Sequence, residues 1–278
     1  MLLPEDFKLL NTKSYECIKQ ICEEWTIIKK NMQDRIEQAK IFLPNYFFIV
    51  DPGVGLSYIA HILSEHLYNL GIMPFSNAHK YIEFMLEYDE NPQSFKSFER
   101  LYNLLEHGLS QYGFPYAGVL MIHITDWVLK GAYAENRFQR FLEYLKERDD
   151  IQMIILVSES SKIIDHKLLE SIISGKLRIQ TVSIKTSPAQ ELRDRLVEMI
   201  HQFGLSIDEE SKEFLLKTVK KIMKKRAFHG IDTIKNLAKD VVYEVYRKDI
   251  VIDQPLTPND LVLFHEEGPW VKKLDAHI

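Results

Sequence analysis

The first two thirds of the chain alternate between short apolar runs and longer segments with helical spacing. Because each apolar run is followed by a segment with apolar residues every three or four positions, the pattern predicts a mainly parallel sheet that helices cover on both faces. The predicted strands are Tyr46–Val50, Tyr81–Leu86, Gly118–Ile124, Ile151–Val157 and Ile179–Ile184. The predicted helices are residues 13–40, a helix that follows Ser57 and ends at Gly71, Phe95–Leu109, Phe138–Lys146 and Leu168–Ile173.

From Ser187 onward the strand pattern stops and only helical spacing remains. Three helices are predicted, each preceded by residues that commonly start a helix: Pro188–Phe203, Asp208–Lys225 and Ile231–Arg247. We therefore predict a domain boundary near Thr186. The expected organisation is an N-terminal helical segment (1–44), an αβα domain (45–186), an all-helical domain (187–249) and a C-terminal tail (250–278), in which Thr257-Pro-Asn-Asp260 is expected to start a last helix.

The amino-acid composition and the net charge limit the kinds of partner that the chain is expected to bind. The chain has 278 residues, of which 46% are hydrophobic, and this is enough to bury a core. Its 35 basic and 40 acidic side chains give a net charge of −5, so a nucleic acid or an anionic membrane surface would need a local basic patch. No apolar run approaches the ~20 residues that span a bilayer, and the first residues lack the basic region of a signal peptide. We expect a cytoplasmic protein without a membrane partner.

The two cysteines, Cys17 and Cys22, lie five residues apart in a predicted helix. That spacing places them on different faces, and the chain has no second pair, so a disulfide framework is excluded. No histidine precedes His61, and we therefore expect no metal site at these thiols.

A Gly-rich turn follows the first predicted strand, where nucleotide-binding proteins carry a P-loop. Aligned with G-x-x-x-x-G-K-[ST], the segment has the second Gly at Gly55 and the hydroxyl at Ser57, but Val50 replaces the first Gly and Leu56 replaces the Lys. Backbone N–H groups of the turn can still form an anion site. The missing cation costs about 1.5–3 kcal/mol, or about 10- to 100-fold in affinity, and Asp51 adds a carboxylate. The candidate anion-binding residues are Asp51, Pro52, Gly53, Val54, Gly55, Leu56 and Ser57.

The third predicted strand ends where a P-loop ATPase carries the acids that hold Mg²⁺ and activate water. Here those places are taken by His123 and Ile124. Imidazole is a poor ligand for Mg²⁺, and an isoleucine cannot act as a base. His123 also fits a hydrogen-bonded buried histidine, and Ser57 fits a helix cap, so both of these interpretations stay open.

Taken together, the motifs resemble the AAA+ ATPases, and most of all the CbxX/CfxQ subfamily, which contains the red-type Rubisco activases. The segment Phe48–Ser57 is similar to the subfamily's strand and Gly-Asn-Pro-Gly-Thr-Gly-Lys-Thr, and Ala117–His123 to its Gly-Gly-Val-Leu-Phe-Ile-Asp. The resemblance covers about residues 13–247 and implies an αβα domain with a P-loop-type parallel sheet and a helical lid domain. Three short segments of the predicted helical domain are also similar to the lid domain of the subfamily: Ser187–Leu192, Phe203–Glu209 and Phe228–Leu237.

The expected function depends on the positions where this chain differs from the family's motifs. The resemblance implies catalytic side chains at Leu56, His123, Ile124 and Asp232, where none has the required chemistry, so no catalytic residue is expected. The family's sensor 1 aligns with Ser158-Glu159, its sensor 2 arginine with Asp232 and the arginine after that with Lys235. Its pore loop aligns with Glu87–Pro92, where the pore-loop motif is missing. The arginine-finger segment leaves Lys176 and Arg178 as the candidate interface residues.

The resemblance therefore implies a degenerate AAA+ protein that lacks ATP hydrolysis and serves as a structural or regulatory subunit. Its expected partner is another copy or an active AAA+ paralogue, with no cofactor or weakly bound ATP or ADP. One alternative is an AAA+ ATPase that still binds ATP through a non-standard P-loop. A second is a clamp-loader-like adaptor on DNA, which rests on the basic run Lys217–Arg226. A solvated helix face explains the same run, and a nucleic-acid partner is not expected.

Overall fold

The computed structural model of the chain describes residues 13–33, 43–72, 81–86, 96–103, 105–106, 118–148, 151–160, 165–225, 228–248, 254–261 and 264. The chain divides into two compact units. The first, the α/β unit, comprises Met1–Asp51 and Leu56–Ile184. The second, the helical unit, comprises Lys185–Ile278 together with the short turn Pro52–Gly55.

One five-stranded parallel sheet forms the centre of the α/β unit. Its strands are β1 (Asn45–Val50), β2 (Tyr81–Met85), β3 (Val119–Ile124), β4 (Met153–Glu159) and β5 (Ile179–Ile184), in the order β2-β3-β4-β1-β5. The three inner strands are almost continuously buried, whereas β2 and β5 at the edges alternate with exposed positions. Continuous apolar runs belong to strands that are covered on both faces, which is why the sequence pattern located them.

Five α-helices lie in the described part of the α/β unit. They are α1 (Glu16–Gln33), which follows a 3₁₀ turn at Lys13–Tyr15, α2 (Leu56–Asn69), α3 (Lys96–Asn103), α4 (Ala132–Lys146) and α5 (His166–Ser174). A second 3₁₀ turn, Asp126–Leu129, follows β3. On one side of the sheet Leu120, Ile122 and Ile124 pack with Phe138 and Phe141 of α4.

Helix α1 is attached to the unit by buried aromatic and polar contacts. The Trp25 indole donates a hydrogen bond to the Tyr46 hydroxyl at 3.0 Å. Nε2 of His66 on α2 lies 2.9 Å from the carbonyl oxygen of Cys22. Ile18 and Trp25 are fully buried. The segment that precedes the sheet is therefore an integral part of this unit over the described residues.

The helical unit is built from α6 (Ala189–His201), α7 (Glu209–Ile222) and α8 (Gly230–Arg247). Its core consists of apolar residues from the three helices and from the segment after them, which adds Leu256, Leu261 and Phe264. Asp208 caps α7, because its carboxylate accepts a hydrogen bond from the Ser211 N–H at 2.6 Å. A short parallel bridge joins Ile207 to Leu256.

The predicted fold class, a parallel α/β sheet with a separate set of helices, is confirmed. Helix α4 begins at Ala132, six residues before the predicted Phe138, because its first turns are polar or exposed and lack the apolar stripe that marks the rest. Helix α7 ends at Ile222, and the predicted last turn to Lys225 is a tighter turn in which the Lys225 N–H bonds the Ile222 carbonyl at 2.9 Å.

Some of the predicted segments lie outside the described part of the chain. Residues 34–40 of the first predicted helix and the Glu87–Pro92 segment lie there. The expected helix start at Thr257–Asp260 is a turn, in which Asp260 accepts hydrogen bonds from the N–H and hydroxyl of Thr257. None of the described helices has the length and apolar character that crossing a membrane requires.

Candidate functional site

The carboxyl end of β1 is fixed by hydrogen bonds to both neighbouring strand ends. The Asp51 N–H donates to the Ile184 carbonyl of β5 at 2.9 Å. Its carboxylate accepts a hydrogen bond from the Ser160 hydroxyl at 2.8 Å, and the Ser160 N–H bonds the Val50 carbonyl at 2.7 Å. The carboxylate that the sequence placed near a possible phosphate therefore has a partner within the α/β unit.

The turn Pro52–Gly55 contacts α8 within the helical unit. Gly53 and Gly55 both have positive φ, at 74° and 72°. The Gly53 carbonyl accepts a hydrogen bond from the Ile231 N–H at 3.1 Å. A Cβ on Gly53 would lie 2.1 Å from the His229 carbonyl carbon, and one on Gly230 would lie 1.9 Å from the Gly53 oxygen. The two glycines thus bring the turn and the start of α8 into direct backbone contact, which any side chain would prevent.

Ser57, Glu83 and His123 form one hydrogen-bonded network on the α/β unit. The Ser57 hydroxyl donates to Glu83 Oε2 at 2.8 Å, and His123 Nε2 lies 2.7 Å from Glu83 Oε1. The hydrogen bond from His123 holds the pKa of Glu83 below its ordinary value; burial opposes this shift and the Ser57 hydrogen bond adds to it. The Glu83 carboxylate therefore binds both the hydroxyl at the P-loop Ser/Thr position and the imidazole at one of the two positions where the resemblance implies an acid for Mg²⁺.

The position of the P-loop lysine and the second position of the expected acids are both apolar. Leu56 is the first residue of α2 and is half-buried, and Ile124 is buried in the core beside Trp127 and Val128. Mg²⁺ prefers oxygen ligands in octahedral geometry. One hydroxyl, one imidazole and an isoleucine do not fit this ion. In the described residues no three His, Cys, Asp or Glu side chains come together as metal ligands.

The sensor positions carry side chains with local partners. The Ser158 hydroxyl lies 3.2 Å from Nδ1 of His166 on α5. Asp232 lies in the first turn of α8, with the Lys235 ammonium 3.9 Å from its carboxylate, and both side chains are exposed. A carboxylate at this place has the charge opposite to that of the arginine that the resemblance implies.

The two candidate interface residues differ in availability. The Lys176 ammonium forms an ion pair with Glu143 at 2.6 Å. Arg178, which precedes β5, is exposed, and it forms no ion pair with the residues that the structure describes. Arg178 is therefore the freer of the two cations.

Sequence reasoning missed Glu83, Ser160 and the role of Gly230. Glu83 had a weak signal, since it is the one charged residue in the apolar strand Tyr81–Met85. Gly230 directly precedes the predicted helix Ile231–Arg247, and the sequence indicates nothing more than a helix start there. Its contact with Gly53 depends on residues almost 180 positions apart, and no local pattern reports such a contact.

No protein-family model matches the chain, and no curated protein is similar to it in sequence. Solved structures are similar in fold. A mutant of RuvB from Thermotoga maritima superposes with a TM-score of 0.53 at 14% identity, over 90% of this chain and 69% of that one. PCH-2 from C. elegans superposes with a TM-score of 0.51 at 15% identity, over 95% of this chain and 68% of that one. Both are AAA+ ATPases, so the chain has the AAA+ ATPase fold.

Proposed function

We propose that this chain is an AAA+-fold protein that does not hydrolyse ATP and acts as a structural or regulatory subunit of a larger assembly. The observation that carries the proposal is the Ser57–Glu83–His123 network. Both side chains that would face Mg²⁺ are bound to a protein carboxylate, at 2.8 and 2.7 Å. Loss of the lysine at Leu56 and of the acid at Ile124 supports the same conclusion, because each removes a separate requirement of phosphoryl transfer.

Weak or absent nucleotide binding follows from charge. Asp51 adds a carboxylate directly after β1, and Glu83 on β2 places a second one 2.8 Å from the Ser57 hydroxyl, whereas Leu56 supplies no cation. The Gly53 carbonyl accepts a hydrogen bond from the Ile231 N–H, so the turn is fixed against the start of α8. The backbone N–H groups of the turn are the remaining basis for binding ATP or ADP.

The test is ATP turnover and ATP·Mg²⁺ calorimetry on the full chain. We expect no turnover above background and a dissociation constant much weaker than 1 μM, the equivalent of about −8.2 kcal/mol. Ser57→Ala serves as the control and should change neither result. Turnover near ~1 s⁻¹ that Ser57→Ala abolishes would contradict the proposal and favour an ATPase with a non-standard P-loop.

A gain-of-function series tests whether the turn keeps P-loop geometry. Leu56→Lys with Val50→Gly should strengthen ATP binding about 10- to 100-fold, since it restores one charged donor. Adding Glu83→Ala should strengthen it further, because it removes a carboxylate and releases Ser57. Leu56→Met, which adds no charge, is the matched control. An unchanged affinity in all variants would mean that the turn has a different shape.

Assembly is the second part of the proposal. The expected partner is another copy or an active AAA+ paralogue, with a basic side chain at the contact. Because Lys176 is already paired with Glu143, Arg178 is the better candidate for that contact. Co-purification from the native source, followed by mass measurement of the complex, should show greater loss with Arg178→Ala than with Lys176→Ala. A strictly monomeric protein that recovers no AAA+ partner would refute this part and leave the ATPase result untouched.

A further inference from the structure

Helix α7 presents a row of lysines that the proposed function does not use. Lys217 and Lys220 of α7 and Lys224 in the turn after it are all exposed. Positions three, four and seven apart share one face of a helix, and the opposite face of α7 is buried through Leu215, Val219 and Ile222. We call these three residues the lysine row: Lys217, Lys220 and Lys224.

The ammonium groups of the lysine row are available for a partner. Among the described residues none of the three forms an ion pair, whereas Lys212 on the same helix lies 2.6 Å from a Glu209 carboxylate oxygen. The acid nearest to the row along this face is Glu213, one turn before Lys217. The dipole of α7 stabilises positive charge near its end but uses none of the ammonium hydrogen-bond donors.

The chemistry of the row fits a regular array of phosphates. Lysine binds phosphate oxygens as a compact point charge with three hydrogen-bond donors, and it does not need the fixed fork geometry by which arginine binds. With a rise of 1.5 Å per residue, the row spans about 10 Å. A DNA duplex carries one charge per about 1.7 Å of its axis, so about six phosphates lie along that length.

The exposed residues of α7 also distinguish a duplex from a single strand. They are Glu209, Glu210, Glu213, Lys217, Lys220 and Lys221, with no aromatic ring among them. Single-stranded nucleic acids are bound through aromatic side chains on which the bases stack, and α7 exposes none. We propose that the lysine row binds the phosphate backbone of double-stranded DNA without sequence preference. The chain's net charge of −5 restricts such binding to this local patch.

The test measures binding of a labelled 20-base-pair duplex by fluorescence anisotropy at 50 to 200 mM NaCl. If the row contacts three phosphates, the logarithmic salt slope is about −2.7 and affinity falls about 40-fold over this range. Lys217→Gln/Lys220→Gln/Lys224→Gln should reduce the steepness of the slope by about 2.7 and abolish most of the binding. Replacing the same three residues with arginine should retain it.

A matched control removes the same charge from another helix of the same unit. Lys235→Gln/Lys239→Gln/Lys248→Gln on and just after α8 should leave most of the binding and its salt slope intact. Circular dichroism of both variants verifies folding. Equal loss in the two triple variants, no duplex binding at 50 mM NaCl, or tighter binding of a single strand or of polyglutamate would each overturn the proposal.

Discussion

Two neighbouring parts of the segment after β1 are held by different kinds of contact: the turn Pro52–Gly55 and the first turn of α2. On the helical unit, Gly53 meets Gly230 through backbone atoms alone, with no room for a Cβ on either. On the α/β unit, Ser57 is held through side chains, by way of Glu83 to His123. A backbone contact depends on the absence of side chains, whereas a side-chain network can be rebuilt from other polar residues. The first should therefore tolerate substitution far less than the second.

The largest expected effect comes from Gly230→Ala, which should lower the free energy of unfolding by about 3 kcal/mol. The new methyl group would lie 1.9 Å from the Gly53 oxygen, and Gly230 has a φ of 55°, which L-residues rarely adopt. Chemical denaturation followed by circular dichroism gives the free energy. Hydrogen exchange of the Ile231 amide, whose proton bonds the Gly53 carbonyl, should become faster if the contact opens.

Gly204→Ala is the matched control for that variant. Gly204 also lies in the helical unit and has a φ of 80°, but a Cβ there would meet only the Tyr246 hydroxyl at 3.9 Å. It should cost only the conformational strain, about 1 kcal/mol. If the two alanine variants are equally stable, the backbone contact does not exist in solution and the comparison fails.

The fold was largely predictable because its signals are local. Inner strands such as β3 and β4 are buried on both faces, so each is a continuous apolar run that needs no knowledge of its neighbours. Helices were located by apolar spacing, and errors arose where a turn lacks that spacing, as at the start of α4. Burial leaves a pattern of apolar residues along the chain, and this pattern indicates a strand or a helix before any of its contacts are known.

The candidate site was predictable only in part, because its contacts are not local. The sequence identified Ser57 and His123 by their places after β1 and on β3. It did not identify Glu83 as their common partner, since strand pairing and register decide that contact: Met85, two residues later, pairs with His123. The Gly53–Gly230 contact could not be identified either, because a glycine that is needed to avoid a clash looks in the sequence like a glycine at an ordinary turn or helix start.

A smaller effect is expected from Glu83→Ala, about 1–2 kcal/mol, because it leaves Ser57 and His123 without their acceptor. These groups are partly exposed and can bond water, which limits the loss. Glu83→Gln keeps one acceptor oxygen and should lose less than the alanine variant. Chemical denaturation of the wild type, Glu83→Gln and Glu83→Ala at one pH ranks their free energies of unfolding. A loss as large as that of Gly230→Ala would show that the side-chain network tolerates substitution no better than the backbone contact does.

The contribution of Glu83 to the free energy of unfolding should also depend on pH, in a direction that follows from its lowered pKa. Since the hydrogen bond from His123 holds its pKa below the ordinary value, the native state binds fewer protons here than the unfolded state. The resulting stability is present above pH 4.5, the ordinary value, and is lost as the pH falls through the lower native value. The advantage of the wild type over Glu83→Gln should therefore shrink on acidification below pH 4.5. An advantage that stays constant there would show that the carboxylate charge is not involved.

The smallest effect concerns His66, a second side-chain contact, which joins α2 to α1. Its Nε2 lies 2.9 Å from the Cys22 carbonyl, an acceptor only, so this nitrogen carries a proton and donates it. Burial lowers the pKa of His66, and the Cys22 hydrogen bond opposes the shift. The unfolded chain consequently binds the second ring proton more readily than the native protein. Stability from this group is therefore present above pH 6.5, the ordinary value, and declines below it.

Matched histidine variants on α2 isolate that contribution. A single titrating group changes the free energy of unfolding by at most about 1.4 kcal/mol per pH unit, and His66 should contribute less than this between pH 6.5 and 5.5. His66→Gln, whose amide can still donate to Cys22, should remove that part of the pH dependence. His61→Gln, at an exposed position on the same helix, should leave it in place. If both variants keep the wild-type slope, α1 is held by its apolar face and Trp25 alone, and the histidine contact adds nothing to the attachment.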